Sequence, residues 1–309
     1  MDRGRKAVTK LFLFYPGKFF RLLSLSKFMM AGFLILLLFT ILAIFSSWIS
    51  SNPVLYENWH LAREFSQPAW VRFFDSRISE NEVHGLLGTD EHGRSVLNEV
   101  IWGMRVSLFV GFLATILAVG VGTMVGLVSG YKGGKTDTVL WTITQLVLTL
   151  PVYPLLVILV AVYGANMWNI IVIVGAIWWT WTARLIRSQV LTVKERAYVD
   201  AARALGAKDR DIMFRHILPN VLPLLFANAT TIIAFAILTE ASLAFVGLSN
   251  PNEISWGTML FNAISFGAFY KLAWWYIVPP GLCIGLVVLG VYFMGIGAEQ
   301  ILARTSSRQ

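Results

Sequence analysis

Long runs of apolar residues without a charged side chain divide the sequence into membrane-sized segments. A helix that crosses a bilayer needs about 20 mostly apolar residues, because the hydrocarbon core is about 30 Å thick. Long runs, the fourth of them interrupted only by Glu240, occupy 28–56, 106–131, 138–183, 217–252 and 272–298. The third run has a small polar break at 164–169, which indicates a hairpin between two spans. The pattern therefore predicts an all-α membrane protein with six transmembrane helices.

Three segments need separate interpretation. The first run is longer than the apolar core of a signal peptide, about 7 to 15 residues, so we expect an uncleaved first span at 28–49, with a cleaved signal as the alternative. Between Glu253 and Lys271 a short charge-free stretch predicts a helix that dips into the outer leaflet without crossing. The loop at 50–105 is too long for a bare connection and is expected to fold against the outer face. Its aromatic residues include Trp59, Trp70, Phe73 and Phe74.

The charge distribution assigns a side of the membrane to each loop. Only 14% of residues are charged and 57% are hydrophobic, which argues against a soluble enzyme. The net charge of +8 would by itself suggest nucleic acid as a partner. However, seven Lys and Arg lie in 1–27 and eight lie in 184–215, whereas 50–104 holds eight acids and four Arg. Because cytoplasmic loops carry the basic excess, both termini, including the tail at 299–309, are expected in the cytoplasm, and no nucleic acid is expected as a partner.

Familiar catalytic and metal-binding patterns fit this sequence poorly. The string at 129–136 resembles a phosphate-binding loop, but Ser129 replaces the first Gly and an apolar span precedes it, so we expect only a Gly-rich turn. His84, Asp90, Glu91 and His92 form a candidate metal cluster, but Thr89 or Asp90 is more simply interpreted as the cap of the helix that leads into the second span. The one cysteine, Cys283, rules out an intrachain disulfide. We expect no catalytic, cofactor or metal site on this chain.

Glu240 is the one acidic residue well inside a predicted span. A carboxylate in a membrane is costly, so such a residue is by default a candidate for function. Its position, about 27 Å along the helix counted from Leu222, is toward the outer surface. Two roles stay open from the sequence: packing against a neighbouring helix, or lining a gate or pathway.

The basic segment between the fourth and fifth spans is the most informative part of the sequence. Small and apolar residues at Ala197, Ala201, Ala202 and Leu205 follow helical spacing, and Gly206 offers a left-handed stop. A second short helix is predicted from a cap at Asp209 to Leu218, before Pro219 marks the return to the membrane. Small side chains on one helix face suit docking into a groove of another protein.

This segment resembles the EAA signature of permease subunits of ABC importers. The match consists of Asp200, Ala201 and Ala202, then Gly206, then Ile217, Leu218 and Pro219. Other stretches are similar to the second permease subunit of dipeptide, oligopeptide and nickel importers; they lie at 84–111, 130–137, 240–248 and 256–260. The resemblance covers about residues 20–300.

The resemblance implies a permease core at 106–298, with a cytoplasmic coupling segment at 190–219 and a large extracytoplasmic loop between the first two helices. It implies a heterodimer with a second permease subunit in the cell membrane, two ATP-binding subunits that hydrolyse ATP, and an extracytoplasmic substrate-binding protein. The coupling helix would be 200–206, with Asp200 in the place of the usual Glu.

Some positions depart from the family pattern and bear on the cargo. Thr142 and Gln145 stand where the family often has Arg and Asp, Ser95 replaces the Asp usual after Gly-Arg, and Ile296 stands between Gly295 and Gly297 where Asp is common. A membrane interior with fewer charges argues against charged peptides as cargo. Peptides are the family default, and oligosaccharides and metal chelates are the alternatives.

Five tryptophans in the predicted spans have two possible roles. Their rings either stack on cargo along a path or anchor the protein at the bilayer surface; they are Trp178, Trp179, Trp181, Trp274 and Trp275.

Two other functions predict features of their own. An ion-coupled secondary transporter would be expected to show several buried ionisable residues or repeated halves, and a membrane-embedded enzyme would be expected to show a catalytic constellation. Neither feature is evident in the sequence.

Overall fold

The computed structural model describes residues 26–50, 63–73, 79, 82–250 and 252–306. Most of the basic N-terminal segment 1–27, Trp59, His60 and Phe74 lie outside the described residues. Within this part of the chain the fold is almost entirely helical. The helices are α1 Lys27–Ile44, α2 Ser46–Ile49, α3 Val96–Lys132, α4 Gly134–Thr149, α5 Val152–Tyr163, α6 Met167–Lys194, α7 Ala197–Ala204, α8 Asp209–Phe245, α9 Trp256–Ser265 and α10 Trp274–Ser306.

Five of the described helices are long and apolar enough to cross a membrane, namely α1, α3, α6, α8 and α10. Helices α4 and α5 pass the same test together, although they meet at an angle of 92°. The described helices therefore provide five candidate spans, and six, as predicted, if α4 and α5 together form a broken third span. The break follows from Pro151, which has no backbone N–H and holds Leu150 in an extended conformation with ψ of 140°.

The turn between α5 and α6 agrees with the predicted hairpin. Gly164 has a φ of 89°, a conformation that glycine adopts without steric cost. Asn166 then caps α6, because its side-chain oxygen accepts a hydrogen bond of 2.9 Å from the backbone N–H of Asn169. The chain thus reverses direction in a few residues.

Two other boundaries differ from the sequence expectation. Helix α3 begins at Val96, ten residues before the apolar run, since Glu99 and Arg105 are accommodated inside the helix. Helix α8 is continuous from Asp209 to Phe245, so the predicted short helix does not end at Leu218. Its N-cap is Lys208 rather than Asp209. A π-helical stretch at Ile212–Ile217 precedes Pro219, and the helix continues through the missing donor.

The bundle is held together where glycines let backbones approach each other. Gly122, Gly126 and Gly130 of α3 follow an i, i+4, i+8 spacing and all face α6. A Cβ atom at Gly126 would lie 2.6 Å from the carbonyl oxygen of Ala183, closer than real Cβ atoms come. Helices α3 and α6 therefore form one tightly packed seam.

Three apolar clusters form the core and define two ends of the molecule. One cluster, which includes Trp256 and Tyr276, lies at the end that carries residues 63–95 and α9; we call this the loop end. A second cluster, between α3, α6 and α8, fills the middle. The third, around Val199 and Ile212, lies where α7 meets α6 and α8; we call this the α7 end.

Candidate functional site

Helix α7 lies on the surface and is anchored by a single buried side chain. Val199 is 0% exposed and packs into the apolar cluster of the α7 end, beside Val190 of α6 and Ile217 of α8. The rest of the helix, including Asp200 and Ala201, is exposed or half-buried. Val199 thus fixes the position of α7 while leaving its other face open.

Gly206 ends α7 in the way that the sequence predicts. Its φ is 79°, and the backbone N–H groups of Gly206 and Ala207 donate to the carbonyls of Arg203 and Ala202 at 3.0 and 3.1 Å. These two bonds form the Schellman motif, which satisfies the last carbonyls of a helix. No atom lies within 4 Å of a Cβ built on Gly206, so backbone conformation rather than space requires glycine here.

The residues of the EAA-like signature divide into two groups in the structure. Asp200, Ala201 and Gly206 are exposed, and Ala202 is half-buried. Ile217 is 0% exposed inside the α7-end core, and Leu218 and Pro219 are half-buried. The first group therefore forms a surface, and the second supports that surface from below.

A polar clamp, defined by Ser129, Asp137, Trp141 and Arg187, joins α3, α4 and α6 at the α7 end. The Arg187 guanidinium donates from Nε and one terminal nitrogen to the two Asp137 oxygens at 2.7 and 2.6 Å. Ser129 also donates to Asp137, and the guanidinium lies 4.4 Å from the centre of the Trp141 ring. Bidentate pairs of this kind fix orientation as well as distance. Sequence reasoning missed this clamp.

The same region explains the Gly-rich string at 129–136. It is the end of α3 and the start of α4, joined at Gly133 and Gly134 with φ of 65° and 53°. A helix precedes it, not the strand that a phosphate-binding loop requires. Beside it, the Tyr131 hydroxyl donates to the Asp209 carboxylate at 2.8 Å and so ties α3 to the start of α8.

At the loop end a buried cluster holds three acids around one arginine. Arg94 lies 2.6 Å from Asp90 and 2.9 Å from Glu99, with Glu91 at 3.8 Å. Burial, and then the negative charge of Asp90, raise the pKa of Glu91. The pKa of Arg94 is raised too, since the attraction of Glu99 and Asp90 outweighs its burial.

The predicted metal cluster is assembled only in part. Possible ligand atoms of Asp90, Glu91 and His92 lie within 4.8 Å of one another, and His84 is not among them. The Arg94 guanidinium already occupies the acidic centre, so a metal ion would have to displace a buried cation. The arrangement favours an internal ion-pair network over a metal site.

The predicted helix cap at Thr89 or Asp90 is wrong. The N-cap of α3 is Ser95, and its side chain makes no capping bond. Asp90 instead accepts hydrogen bonds from the backbone N–H groups of His92 and Arg94 at 2.9 and 2.6 Å, and Thr89 accepts one from Ser66 at 2.7 Å. Asp90 thus closes the turn at 90–94, and Thr89 joins that turn to residues 63–66, so neither side chain caps the helix.

Glu240 lies at a packed junction of α3, α8 and α9. It is 3% exposed and accepts a hydrogen bond of 3.1 Å from the Ser107 hydroxyl, whose oxygen in turn accepts one of 3.4 Å from the Trp256 backbone N–H. On α9, a Cβ at Gly257 would lie 2.6 Å from the Ala244 side chain, so α9 sits directly on α8. In this structure the carboxylate faces protein and not an open path.

Helix α9 itself is the short helix predicted between Glu253 and Lys271. It has 10 residues, about 15 Å, too few to cross a bilayer. The Ser255 hydroxyl accepts from the Thr258 backbone, and Thr258 reciprocates, which makes a capping box. The capping box thus fixes the start of α9 beside Glu240.

The five tryptophans that the sequence analysis singled out lie in different environments. Trp178 is buried, stacked on Phe235 with ring centres 4.7 Å apart, and Trp275 is buried with its indole N–H donating to the Thr89 carbonyl. Trp179 is half-buried, while Trp181 and Trp274 are each 45% exposed. Trp178 and Trp275 thus belong to the core, whichever role the exposed ones have.

Comparisons with known proteins identify the family to which this architecture belongs. The family model of the binding-protein-dependent transport system inner membrane component matches residues 122–306. The di/tripeptide transport system permease protein DppC of Pseudomonas aeruginosa is 32% identical, over 94% of this chain and 93% of that protein. The dipeptide permease DppC of Bacillus subtilis is 30% identical over 97% of this chain and 89% of that protein.

A third relative and one solved structure agree with this result. The oligopeptide permease OppC of Haemophilus influenzae is 33% identical over 72% of this chain and 70% of that protein. A chain of the methionine ABC transporter MetNI, in an inward-facing conformation, has the same fold with a TM-score of 0.54. It is 20% identical and covers 67% of this chain and 96% of that chain. The chain belongs to the family of binding-protein-dependent transport system inner membrane components and is a multi-pass permease subunit of an importer.

Proposed function

We propose that this permease forms one half of a path for peptides or similar small oligomers, and that α7 docks onto a separate subunit that hydrolyses ATP. The observation that carries the docking role is the exposed face of α7, held by Val199 below and ended by Gly206. Because the buried Val199 side chain connects α7 to α6 and α8, a movement of the docked partner would be passed on to these two helices.

The partners and the orientation follow from the same proposal. The α7 end faces the cytoplasm, where the basic excess of 184–215 belongs by the positive-inside rule. A homologous second permease completes the path, two ATP-binding subunits lie beneath, and a binding protein delivers cargo to the loop end. Closure of the ATP-binding subunits would shift the bundle between two states, as in alternating access.

A pair of glycine substitutions tests the docking role. Gly206→Val forces a β-branched residue into a left-handed conformation, and we expect it to abolish ATP-dependent uptake and co-purification with the ATPase. Gly85→Val is the matched control at the loop end, with a φ of 57° and no atom within 4 Å of its Cβ. It should keep ATPase co-purification. Unchanged uptake and co-purification in Gly206→Val, with normal membrane insertion, would contradict the proposal.

The cargo is proposed from the relatives, which carry the names of dipeptide, di/tripeptide and oligopeptide permeases. Native mass spectrometry of the cognate binding protein, purified from cells, would identify the ligand that it carries. A peptide is the expected ligand. An oligosaccharide or a metal chelate in its place would replace the cargo and leave the docking proposal standing.

A further inference from the structure

Helix α4 presents two different stripes on its outward surface. Thr138, Thr142, Gln145 and Thr149 follow an i, i+4, i+7, i+11 spacing, which places them on one side of the helix. Beside them runs an apolar stripe in which every member is at least 46% exposed; it consists of Val139, Ile143, Leu146 and Leu150. Thr144, by contrast, is buried on the inner side. We call the first set the polar stripe.

The apolar stripe has the chemistry of a lipid-facing surface, and the polar stripe does not. Thr138 and Thr149 donate their hydroxyls to carbonyls of their own helix, at Gly134 and Leu146, as is common where no other partner is near. Gln145 is half-buried, and its side chain makes no hydrogen bond to another described residue. An amide left unbonded in hydrocarbon is strongly unfavourable, because it loses its hydrogen bonds to water without replacement. Gln145 must therefore face water or another polar group once the protein is in a membrane.

The ends of the polar stripe are fixed. At the α7 end, Asp137 holds the base of α4 against α6 through Arg187. At the other end the polar stripe stops at Thr149, just before Pro151, where the chain turns by 92° into α5. Membrane transporters contain helices that are interrupted where the backbone borders an aqueous cavity. A rigid helix that is polar on one side and ends at a break fits this description.

We propose that the polar stripe of α4 lines the translocation path. This rests on the proposed importer function, and it adds that the path is uncharged at this level. Cargo passes hydroxyl and amide groups, which hydrogen-bond without selecting a sign of charge. The apolar stripe, on the neighbouring side of the same helix, faces the acyl chains.

Thiol accessibility distinguishes the two stripes on one helix. Cys283 is first replaced by Ser, which removes the only cysteine. Thr142→Cys and Gln145→Cys are then compared with Ile143→Cys and Leu146→Cys in the assembled transporter, using a charged, membrane-impermeant methanethiosulfonate. We expect about tenfold or faster labelling on the polar stripe, because each unit by which an apolar environment raises a thiol pKa removes tenfold of the thiolate.

The outcomes separate the two proposals. Equal labelling of all four positions would overturn the assignment of the path. So would slow labelling of the polar stripe together with a disulfide from Gln145→Cys to a cysteine of the second permease, which would place the stripe at the subunit interface. ATP-dependent uptake is measured on the cysteine-free parent beforehand. Rapid labelling of Thr142→Cys and Gln145→Cys, together with no uptake by the protein that retains Cys283, would refute the proposed function and leave the aqueous stripe intact.

Discussion

The two ends of the molecule treat their charges in opposite ways. At the loop end, Asp90, Glu99 and Arg94 have side chains that are 0%, 2% and 13% exposed, and they pair with one another. At the α7 end, Asp200 and Arg203 pair at 3.1 Å with side chains that are 62% and 53% exposed. Both are ion pairs, but only the first is buried, so we expect only the first to contribute strongly to the stability of the fold. The buried charges of the loop end are thus held by one another, whereas those of α7 are open to solvent, as the proposed docking role requires.

The largest expected effect comes from breaking the loop end. Arg94→Met leaves three buried carboxylates without their cation, a change that typically costs about 3–5 kcal/mol. We expect little folded protein, measured as the monodisperse fraction after detergent extraction and as the melting temperature. Arg203→Met is the matched control at the α7 end, with an expected cost below about 1 kcal/mol. Equal melting temperatures for the two variants would remove the distinction between the ends.

An intermediate effect is expected from the polar clamp, which joins α3, α4 and α6 at the α7 end. Asp137→Ala removes both bonds to Arg187, whose side chain is 22% exposed, and should cost about 1.5–3 kcal/mol. Thermal unfolding monitored by fluorescence in detergent measures the change. Asp211→Ala, which removes a 3.4 Å pair to the 78% exposed Arg215, should leave the melting temperature nearly unchanged. A loss at Asp211 as large as at Asp137 would contradict this view of the clamp.

The smallest effect concerns the seam that joins the two ends. Gly126→Ala places a methyl group against the backbone of α6 and should destabilise the protein by about 1–3 kcal/mol. Gly120→Ala, on the same helix with open space around its Cβ, should instead be neutral or stabilising by up to about 1 kcal/mol. The sign of the difference in melting temperature is the readout. An unchanged melting temperature for Gly126→Ala would mean that α3 and α6 move apart at little cost to admit the methyl group.

The local pattern of apolar residues predicted the membrane spans, but it did not predict features that depend on contacts between residues far apart in the chain. Apolar runs sufficed for α6 and α10, because lipid demands the same chemistry along the whole span. The start of α3 lies between the predicted cap at Thr89 or Asp90 and the apolar run. Neither local rule foresees that Arg94 pairs with Glu99. The bend at Pro151 had a visible signal in the proline itself.

The candidate site follows the same division. The left-handed turn at Gly206 is local, and the sequence predicts it correctly. The bond from Arg187 to Asp137 joins residues 50 positions apart, and the one from Tyr131 to Asp209 joins residues 78 apart. No spacing rule in a single sequence relates such pairs, so the supports of α7 emerge only from the fold.

The length of α3 has a consequence for the shape of the protein outside the bilayer. Its 37 residues extend about 55 Å, whereas a bilayer with its headgroups is about 40–45 Å thick. The apolar run at 106–131 sets which part lies in the lipid, so about 15 Å of helix stands clear of it at the loop end. The first turns of α3 pack there against Trp256 and Tyr276, so this projecting part is a solid cap and not a free helix. A soluble protein approaching this face would meet the cap, with the Arg94 cluster at its edge, before it meets the lipid.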